Sequence, residues 1–196
     1  RMKNPEDIIS FINKDISNKS PFKDVSILIT AGPTYEHIDK VRYLTNHSSG
    51  KMGISLAHIA ANLGANVILV IGPCNYHIKH SNIDVIDIIS AADMFKVVKD
   101  KFTDMNIGIF AAAVSDFKPV NIANNKMKKF LSNINIKLEP TIDILSHISL
   151  NKDKSQCVVG FALETDNEIE NAKNKLKNKK LDLIVLNSLN DKGAGF

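Results

Sequence analysis

The sequence contains no tryptophan, few aromatic residues and only a small excess of positive charge. Aromatic residues make up 6% of the 196 residues, and 25 basic residues stand against 21 acidic ones, for a formal net charge of +4. Proteins that bind nucleic acids usually combine a stronger basic excess with aromatic platforms on which bases stack. We therefore expect the lysines to serve an anionic small molecule, and we expect no nucleic-acid partner.

Long hydrophobic runs and an export signal are also missing. The longest apolar runs, Val67 to Ile71 and Ile107 to Val114, are much shorter than the roughly 20 apolar residues of a membrane-spanning helix. Without a signal-peptide pattern, the two distant cysteines, Cys74 and Cys157, are expected to be free thiols in a reducing compartment. The sequence thus predicts a cytoplasmic protein that does not contact a membrane.

What the sequence does contain is a regular alternation of short, Val- and Ile-rich runs with helical patterns. Each run is bounded by Gly, Pro, Asn or Asp, as buried strands usually are. The alternation predicts a doubly wound, mostly parallel, Rossmann-like α/β sheet with helices on both faces, whose ligands bind at the carboxyl ends of the strands. The predicted strands are VSILITAG, ANVILVIGP, NIDVIDIIS, NIGIFAAAVSD, CVVGFALET and LDLIVLNS.

Four helices are predicted between these strands from apolar residues at helical spacing. They run from Met52 to Leu63, from Ser90 to Phe102, from Ile142 to Leu150, and from about Asn167 to Lys180. Residues 1–20 read as a linker or an N-terminal helix, and residues 21–196 as the main domain. The polar, lysine-rich segment from Phe117 to Leu138 interrupts the alternation, and a loop of this length is usually functional or mobile.

Three local patterns suggest where an anionic ligand could bind. In LTNHSSGKMG, Gly50-Lys51 opens a helix but is followed by Met52, so the motif is not a P-loop. Ser48 or Ser49 could cap that helix, and its first turn could bind phosphate; a simple helix cap beside a surface lysine explains the same residues. In AAAVSDF, small residues precede Asp116, which could accept ribose hydroxyls, hold Mg²⁺ or merely start a turn.

Lysines supply the third pattern. Lys126 lies in the NKMKKF cluster, where it could meet a polyphosphate or belong to a solvated charged surface. Lys175 and Lys179 are one turn apart on the last helix, and Lys173 and Lys177 form an equivalent pair that spacing alone does not distinguish. The single glycine of TAGPT argues against a dinucleotide cofactor, whose fold usually shows three.

Taken together, the motifs resemble those of phosphopantothenate–cysteine ligase, the ligase domain of the bifunctional bacterial coenzyme A biosynthesis protein. The resemblance runs from about Val25 to Phe196, in the family's order. Its motifs are ITAGPTYEHIDKVRYLTNHSSGKMG, AAAVSDFKP, NKMKK, TIDIL, VVGFALET and LDLIVLN…GAGF.

This resemblance implies a dimeric, Rossmann-like ligase that uses CTP and Mg²⁺. The carboxylate of 4′-phosphopantothenate would attack the α-phosphate of CTP to give an acyl-cytidylate, and the amine of L-cysteine would then displace CMP. The family continues beyond the final phenylalanine and has an upstream decarboxylase domain. We therefore expect the ligase domain to be incomplete at its C-terminus, and the natural protein is either bifunctional or a lone ligase.

The resemblance also assigns roles residue by residue. Asn46 matches the asparagine that holds the acyl-cytidylate, and Arg42 matches the catalytic arginine of the same motif. Lys126 matches a catalytic lysine that meets the triphosphate from a flap. The chain has Ile142-Asp143-Ile144-Leu145 where the family usually has Pro-Asp-Ile-Leu, and Met127 replaces the usual isoleucine. The residues that match nucleotide-binding positions are Ala112, Asp116, Lys126, Ile142, Asp143, Ile144, Leu145, Phe161, Lys175 and Lys179.

Two other functions fit parts of the pattern. A Rossmann-type nucleotide-binding reductase would use the same fold, and a non-enzymatic domain could use its lysines to hold an anionic partner. The reductase would bind a dinucleotide, whereas the anion-binding domain would release no pyrophosphate with any set of substrates. The metal ligands and the residues that bind cysteine are not predicted.

Overall fold

The computed structural model describes residues 20–128, 133–164 and 166–188. Residues 1–19 of the predicted N-terminal linker and the closing GAGF motif therefore lie outside the described residues, and the division between residues 20 and 21 stays a prediction. In the described part of the chain, no helix is long and apolar enough to cross a membrane.

Six parallel strands form the central sheet, and four short strands form two antiparallel ribbons beside it. Along the chain the strands are β1 (Ser26–Ala31), β2 (Glu36–His37), β3 (Tyr43–Leu44), β4 (Asn66–Ile71), β5 (Ile83–Asp87), β6 (Ile107–Phe110), β7 (Phe117–Pro119), β8 (Leu138–Pro140), β9 (Cys157–Glu164) and β10 (Leu183–Ser188). The central order is β10-β9-β6-β1-β4-β5, and the ribbons are β2-β3 and β7-β8.

The strand order changes direction between β1 and β6, which are direct neighbours in the sheet. The chain first builds outward from β1 through β4 to β5, and then returns to the other side of β1 to add β6, β9 and β10. In an open parallel sheet, the crevice at such a switch point is where ligands bind. The predicted doubly wound fold class is confirmed.

Helices cover both faces of the sheet, as the alternation of elements predicts. The helix α1 (Lys51–Asn62) packs its buried alanines on one face, against Ile27, Ile29 and Leu69. On the other face, α2 (Ala91–Lys101) and α3 (Ile144–Asn151) pack with Leu28, Val70 and Val158, and Leu176 of α4 (Glu168–Asn178) contacts the same cluster. The core is therefore made of two apolar layers separated by the sheet.

The helix termini agree with the predicted ones to within about two residues, and one predicted cap is wrong. Ser90 begins α2 with a capping box: its hydroxyl accepts from the Asp93 amide, and the Asp93 carboxylate accepts from the Ser90 amide. The N-cap of α1, by contrast, is Gly50 in the left-handed region at φ 74°, and neither Ser48 nor Ser49 caps this helix. Ser48 instead accepts a hydrogen bond from the Gly50 amide at 3.3 Å.

The lysine-rich segment that interrupts the alternation is a long connection between the two strands of the second ribbon. Its ends pair as β7 and β8, and the Val120 amide donates to the Lys137 carbonyl at 3.0 Å. The three-residue strands are too short to show a clear period of two, so the sequence pattern did not reveal them. Residues 129–132 of this connection lie outside the described part of the chain.

Candidate functional site

Two cavities open where the strands of the central sheet end. The larger cavity, of about 640 Å³, lies beside the first turn of α1 and the residues that follow β1 and β4. The smaller, of about 230 Å³, lies between the end of β6, the start of α3 and the inner side of α4. We refer to them as the helix cavity and the strand cavity.

The strand cavity brings together nine of the ten residues that the sequence assigns to nucleotide binding. Lys126 is the exception and does not line it. Five further lining residues were not predicted, because only the fold distinguishes them from ordinary core or loop residues: Thr30, Met94, Phe110, Val114 and Thr141. The nine predicted residues are Ala112, Asp116, Ile142, Asp143, Ile144, Leu145, Phe161, Lys175 and Lys179.

Backbone and hydroxyl contacts fix the wall of the strand cavity that follows β6. The Ala112 amide donates to the Thr30 hydroxyl at 3.3 Å. The Ser115 amide donates to the buried Thr34 hydroxyl at 3.0 Å, and the Ser115 carbonyl accepts from the Thr141 hydroxyl at 2.6 Å. Since these bonds tie the loop to β1 and to the residues before α3, Asp116 is held at the mouth of the cavity although its side chain is exposed.

Lys175 of α4 and Lys179, which directly follows this helix, reach the opposite wall. The Lys175 ammonium donates to the Phe161 carbonyl at 2.8 Å, and the Lys179 ammonium pairs with the Asp143 carboxylate at 2.7 Å. Lys173 and Lys177 are exposed and do not line the cavity. The fold therefore separates the two lysine pairs that the spacing left equivalent.

Asp143 caps α3 while it contacts Lys179. Its carboxylate accepts from the Ser146 amide at 3.0 Å and from the Ser146 hydroxyl at 2.7 Å. Partial burial opposes ionisation of this carboxyl, but the Lys179 ammonium and the Ser146 donors outweigh it and lower the pKa of Asp143. Asp143 is thus an anion that keeps a lysine at the rim of the strand cavity.

The helix cavity is built around the N-terminus of α1. Ser48, Ser49 and Lys51 line it, whereas Gly50 between them is buried. The first-turn amides of a helix lack intrahelical acceptors, so this end attracts anions. The sequence-predicted phosphate site therefore lies on a cavity wall, with Lys51 supplying a positive charge.

Gly53 lets the first turn of α1 sit close to the sheet. A Cβ atom at this position would lie 2.5 Å from the Ala31 Cβ and 3.1 Å from the Thr30 carbonyl oxygen. Only a residue without a side chain permits this approach, which brings the start of the helix to the carboxyl end of β1. Thr30, at this point of β1, also lines the strand cavity.

Asn46 lies at the boundary between the cavities. It lines the helix cavity, and its side-chain amide donates a hydrogen bond of 3.0 Å to the carbonyl of Val114, which lines the strand cavity. A side-chain amide has a second N–H and an oxygen that can serve a ligand. Asn46 is therefore placed where a molecule spanning both cavities would pass.

The other two predicted catalytic residues, Arg42 and Lys126, line neither cavity. Arg42 instead pairs with the buried carboxylate of Asp39 at 3.0 Å and donates to the Met127 carbonyl at 3.0 Å. Lys126 precedes Met127 and is exposed. No role was predicted for Asp39, although Asp39 and Arg42 stand in the same motif.

Two carboxylates line the strand cavity, and because Asp143 is already bonded to Lys179 and Ser146, Asp116 is the one open to magnesium. The Asp116 carboxylate makes no hydrogen bond or ion pair with another described residue. No group of three or more His, Cys, Asp or Glu side chains in the described ranges could hold a metal. Mg²⁺ in nucleotide sites commonly uses one or two carboxylates together with the phosphates, so Asp116 fits an ion that arrives with a nucleotide and not a resident metal.

Both cysteines are free thiols, as the sequence predicts. Cys74 lines the helix cavity with Tyr76, and burial raises the pKa of each. Burial and the hydrogen bond to the Asp87 carboxylate raise the pKa of Tyr76 to about 12. Both groups are therefore neutral at physiological pH and offer no extra charge to an anion in this cavity.

Comparison with known proteins identifies related chains over nearly the whole length. The family described as "DNA/pantothenate metabolism flavoprotein C-terminal domain" matches residues 22–196. A cysteine/cysteine sulfinic acid decarboxylase from an unknown prokaryotic organism is 48% identical over 200 residues, which cover 100% of this chain and 56% of the relative. The coenzyme A biosynthesis bifunctional protein CoaBC of Bacillus subtilis is 41% identical over 198 residues, covering 100% of this chain and 48% of that protein.

A solved structure shares the fold as well as the sequence. The crystal structure of the C-terminal domain of a coenzyme A biosynthesis bifunctional protein CoaBC superposes with a TM-score of 0.75 at 40% identity. The match covers 86% of this chain and 79% of the other. The present chain thus spans about half the length of the curated relatives it matches, and it is similar in fold to the C-terminal domain of a CoaBC protein.

Proposed function

The chain belongs to the DNA/pantothenate metabolism flavoprotein C-terminal domain family, and from this premise we propose that it is a CTP-dependent phosphopantothenate–cysteine ligase. It joins 4′-phosphopantothenate to L-cysteine through an acyl-cytidylate and so contributes a step of coenzyme A biosynthesis. The proposal rests on the strand cavity, which is lined by nine of the residues that the sequence predicts to bind a nucleotide. The CoaBC names of several relatives agree with this activity.

Activation by a nucleotide answers a chemical need. A carboxylate does not react with an amine at neutral pH, because an oxide anion is a poor leaving group. When the carboxylate oxygen bonds to the α-phosphorus, pyrophosphate leaves, and the acid becomes a mixed anhydride. The amine nitrogen of cysteine then attacks the acyl carbon, the amide forms, one proton is released, and CMP leaves with the bridging oxygen.

The cavities divide these tasks. We assign the nucleoside to the strand cavity, with Lys175 and Lys179 at its rim and Ile142–Leu145 beside the base. The N-terminal turn of α1 and Lys51 then face a substrate phosphate in the helix cavity. Asn46, at the boundary, would donate its second amide N–H to the acyl-phosphate group, whose charge changes during both steps.

A magnesium ion bound with the triphosphate would neutralise part of its charge. Asp116 is the residue of this chain that would hold it. The remaining residues orient the reactants, since phosphoryl chemistry depends chiefly on positioning and on stabilising negative charge.

The names of two relatives also raise the question of whether this chain has a decarboxylase activity. One relative is named as a cysteine/cysteine sulfinic acid decarboxylase, and CoaBC is named as bifunctional. This chain matches about half of each. We propose that the decarboxylase activity belongs to the part of those proteins that this chain does not match, and that a decarboxylase domain is fused to or associates with the ligase.

The proposal also covers the location and the oligomeric state of the enzyme. We expect a cytoplasmic homodimer. Exposed apolar side chains on the ribbons, including Val41, Phe117 and Leu138, would suit burial against a second copy. Light scattering coupled to size exclusion measures the mass in solution, and a monomeric mass at micromolar concentration would refute the dimer.

The activity is tested by supplying CTP, Mg²⁺, 4′-phosphopantothenate and cysteine, and by following pyrophosphate and CMP. We expect both products, and we expect both to disappear when phosphopantothenate is omitted. Exchange of CTP for ATP measures nucleotide preference. If no substrate set yields pyrophosphate, the domain only binds anions; if it binds a dinucleotide and transfers hydride, it is a reductase instead.

A further inference from the structure

Asp39 lies in the turn between β2 and β3, and its carboxylate is completely buried although the turn is at the surface. The two carboxylate oxygens serve different partners. One, Oδ1, accepts from the Val41 and Arg42 amides at 2.7 and 2.8 Å, which are contacts within the turn. The other, Oδ2, accepts from Arg42 Nη1 at 3.0 Å and from the Met127 amide at 3.0 Å, across 88 residues of chain.

Arg42 completes the hold on Met127. Its Nη2 donates to the Met127 carbonyl at 3.0 Å, so the backbone donor and the backbone acceptor of one residue are both bound by the Asp39–Arg42 pair. A second contact lies four residues earlier, where the Ala123 amide donates to the Ile38 carbonyl at 2.9 Å. The turn is therefore hydrogen-bonded to both Ala123 and Met127. We call residues 123–128 the lysine segment.

The lowered pKa of Asp39 agrees with these hydrogen bonds, because they favour the ionised carboxylate. The hydrogen bond from the Met127 amide is the main reason that the pKa of Asp39 is lowered; burial acts against it, and the turn amides and Arg42 add to it. Four donors converge on two oxygens, which an ionised carboxylate accepts and a side-chain amide cannot. The residue type is therefore matched to holding both the turn and the lysine segment.

The consequence falls on the two lysines beside Met127. Lys126 and Lys128 are exposed. Their backbone is held by the contacts of Met127 between them and not by contacts of the lysine side chains with other described residues. A lysine is a flexible point charge, and fixing the backbone from which it extends lowers the cost of ordering it on an anion. We call the hydrogen bonds from Asp39 and Arg42 to the Met127 backbone the clamp. The clamp restrains the backbone beside both lysines and leaves both ammonium groups available to bind an anion.

We propose that Asp39 is a positioning residue, which acts with Arg42 to hold the Met127 backbone so that Lys126 is presented to the triphosphate. The identity of the anion rests on the proposed function, whereas the clamp itself does not. The competing explanation is that Asp39 only shapes its own turn through Oδ1. In that case the contact with Met127 has no effect on the lysine segment.

Two substitutions separate these explanations. In Asp39→Asn, the amide oxygen can keep the turn contacts while the NH₂ group faces the donors of Met127 and Arg42, so only the long-range half is lost. Met127→Pro removes the amide hydrogen from the other end of the same bond and leaves the turn untouched. Met127→Leu keeps that hydrogen and is the matched control. Asp182→Asn is a second control, since Asp182 also bonds a backbone amide and a lysine, but at β9.

The readout is trypsin cleavage after Lys128 in the whole chain without nucleotide. Each rate is divided by that of a synthetic peptide with the same local sequence. We expect Asp39→Asn and Met127→Pro to be cut about tenfold faster than the unsubstituted chain, as loss of a charged hydrogen bond implies. Both controls should stay within about twofold. Unchanged rates in Met127→Pro would overturn the clamp even if Asp39→Asn failed to fold.

Turnover then tests the purpose of the clamp. We expect both variants to raise KM for CTP about tenfold while kcat changes less, because the lysine remains but must be ordered on binding. If the unsubstituted chain makes no pyrophosphate, the proposed function fails while the trypsin result still decides the clamp. If turnover is normal and KM is unchanged in both variants, Asp39 is not a positioning residue.

Discussion

Asn46 differs from other exposed loop residues in its position. It donates a single hydrogen bond to the Val114 carbonyl, and this bond fixes its side chain between the two cavities. Asn75 is also a polar loop residue on the wall of the helix cavity, but it does not line the strand cavity. The two residues therefore share chemistry and differ in position, which makes them a matched pair.

Asn46→Ala is expected to lower kcat about 100-fold, as loss of a donor to a developing charge does in acyl transfer. The free energy of unfolding should change by less than about 0.5 kcal/mol, since the side chain is exposed. The initial rate of pyrophosphate release and urea denaturation measure the two quantities. Asn75→Ala is expected to keep kcat within about threefold; equal losses in both variants would remove the special role of Asn46.

Lys177 in the last turn of α4 and Lys179 at its C-cap form a second matched pair. Lys179→Met should raise KM for CTP about tenfold, because it removes a positive charge from the rim of the strand cavity and frees Asp143 to repel the nucleotide. Lys177→Met removes an equal charge from an exposed position outside the cavity and should leave KM unchanged. Steady-state kinetics at saturating phosphopantothenate and cysteine give both constants.

The Lys179–Asp143 pair also has a pH signature. The pKa of Asp143 is lowered in the folded protein, so its stabilisation is complete above the unfolded value near 3.8 and is lost as pH falls through the lower folded value. The difference in free energy of unfolding between the unsubstituted chain and Lys179→Met should be below about 1 kcal/mol at pH 6, because Asp143 is half exposed. It should shrink further below pH 4. A difference that grows at low pH would contradict this assignment.

At the scale of elements, the decisive feature is how closely α1 approaches the sheet. Gly53 permits contact with β1 that any side chain would prevent. The approach brings the N-terminal turn of the helix to the end of the strand whose Thr30 lines the neighbouring cavity. The glycine-lysine sequence alone predicts a helix start, but it does not reveal that a second glycine sets the position of that start.

Gly53→Ala should therefore destabilise the protein although alanine is the better helix former. The added Cβ would lie 2.5 Å from Ala31, and the helix must shift, at a cost of about 1–3 kcal/mol. Met52→Ala, in the same turn but exposed, should change stability by less than about 0.5 kcal/mol. Thermal unfolding measures both. A more stable Gly53→Ala variant would show that the close approach is not required.

The elements themselves were largely predictable, and the ribbons were not. Six strands and four helices have strong periodicity or buried apolar runs, so tertiary packing and local preference agree. The strands β2, β3, β7 and β8 have two or three residues each. Strands this short show no alternation of apolar and polar residues that a sequence could reveal. Their pairing satisfies backbone hydrogen-bonding groups beside the central sheet. The Asp39 clamp was missed for the same reason, since its partner is a backbone amide 88 residues away.

At the scale of the whole molecule, the parallel sheet gathers distant motifs at one edge. Residues near positions 46, 116, 143 and 175 converge because every central strand ends on the same side, and the order reverses between β1 and β6. The fold class thus explains why the residues predicted to bind the nucleotide lie close together. It does not by itself specify a ligase, because Rossmann-like sheets serve many reactions.

The chain should form the amide without removing the carboxyl group of the new product. We expect no CO₂ from 4′-phosphopantothenoylcysteine or from cysteine when the chain is assayed alone, while the Bacillus subtilis relative, assayed alongside, serves as the bifunctional reference. Labelled carboxyl groups make the release measurable. Release of CO₂ by this chain would show that its matched region carries the decarboxylase activity.

The central claim is that a carboxylate oxygen of 4′-phosphopantothenate becomes bonded to the α-phosphorus of CTP. The most direct measurement uses phosphopantothenate labelled with ¹⁸O in its carboxylate and follows the label by mass spectrometry after amide formation. Because the bridging oxygen leaves with the nucleotide, the account predicts one labelled oxygen in CMP and none in pyrophosphate. Unlabelled CMP, or label in inorganic phosphate, would contradict the account.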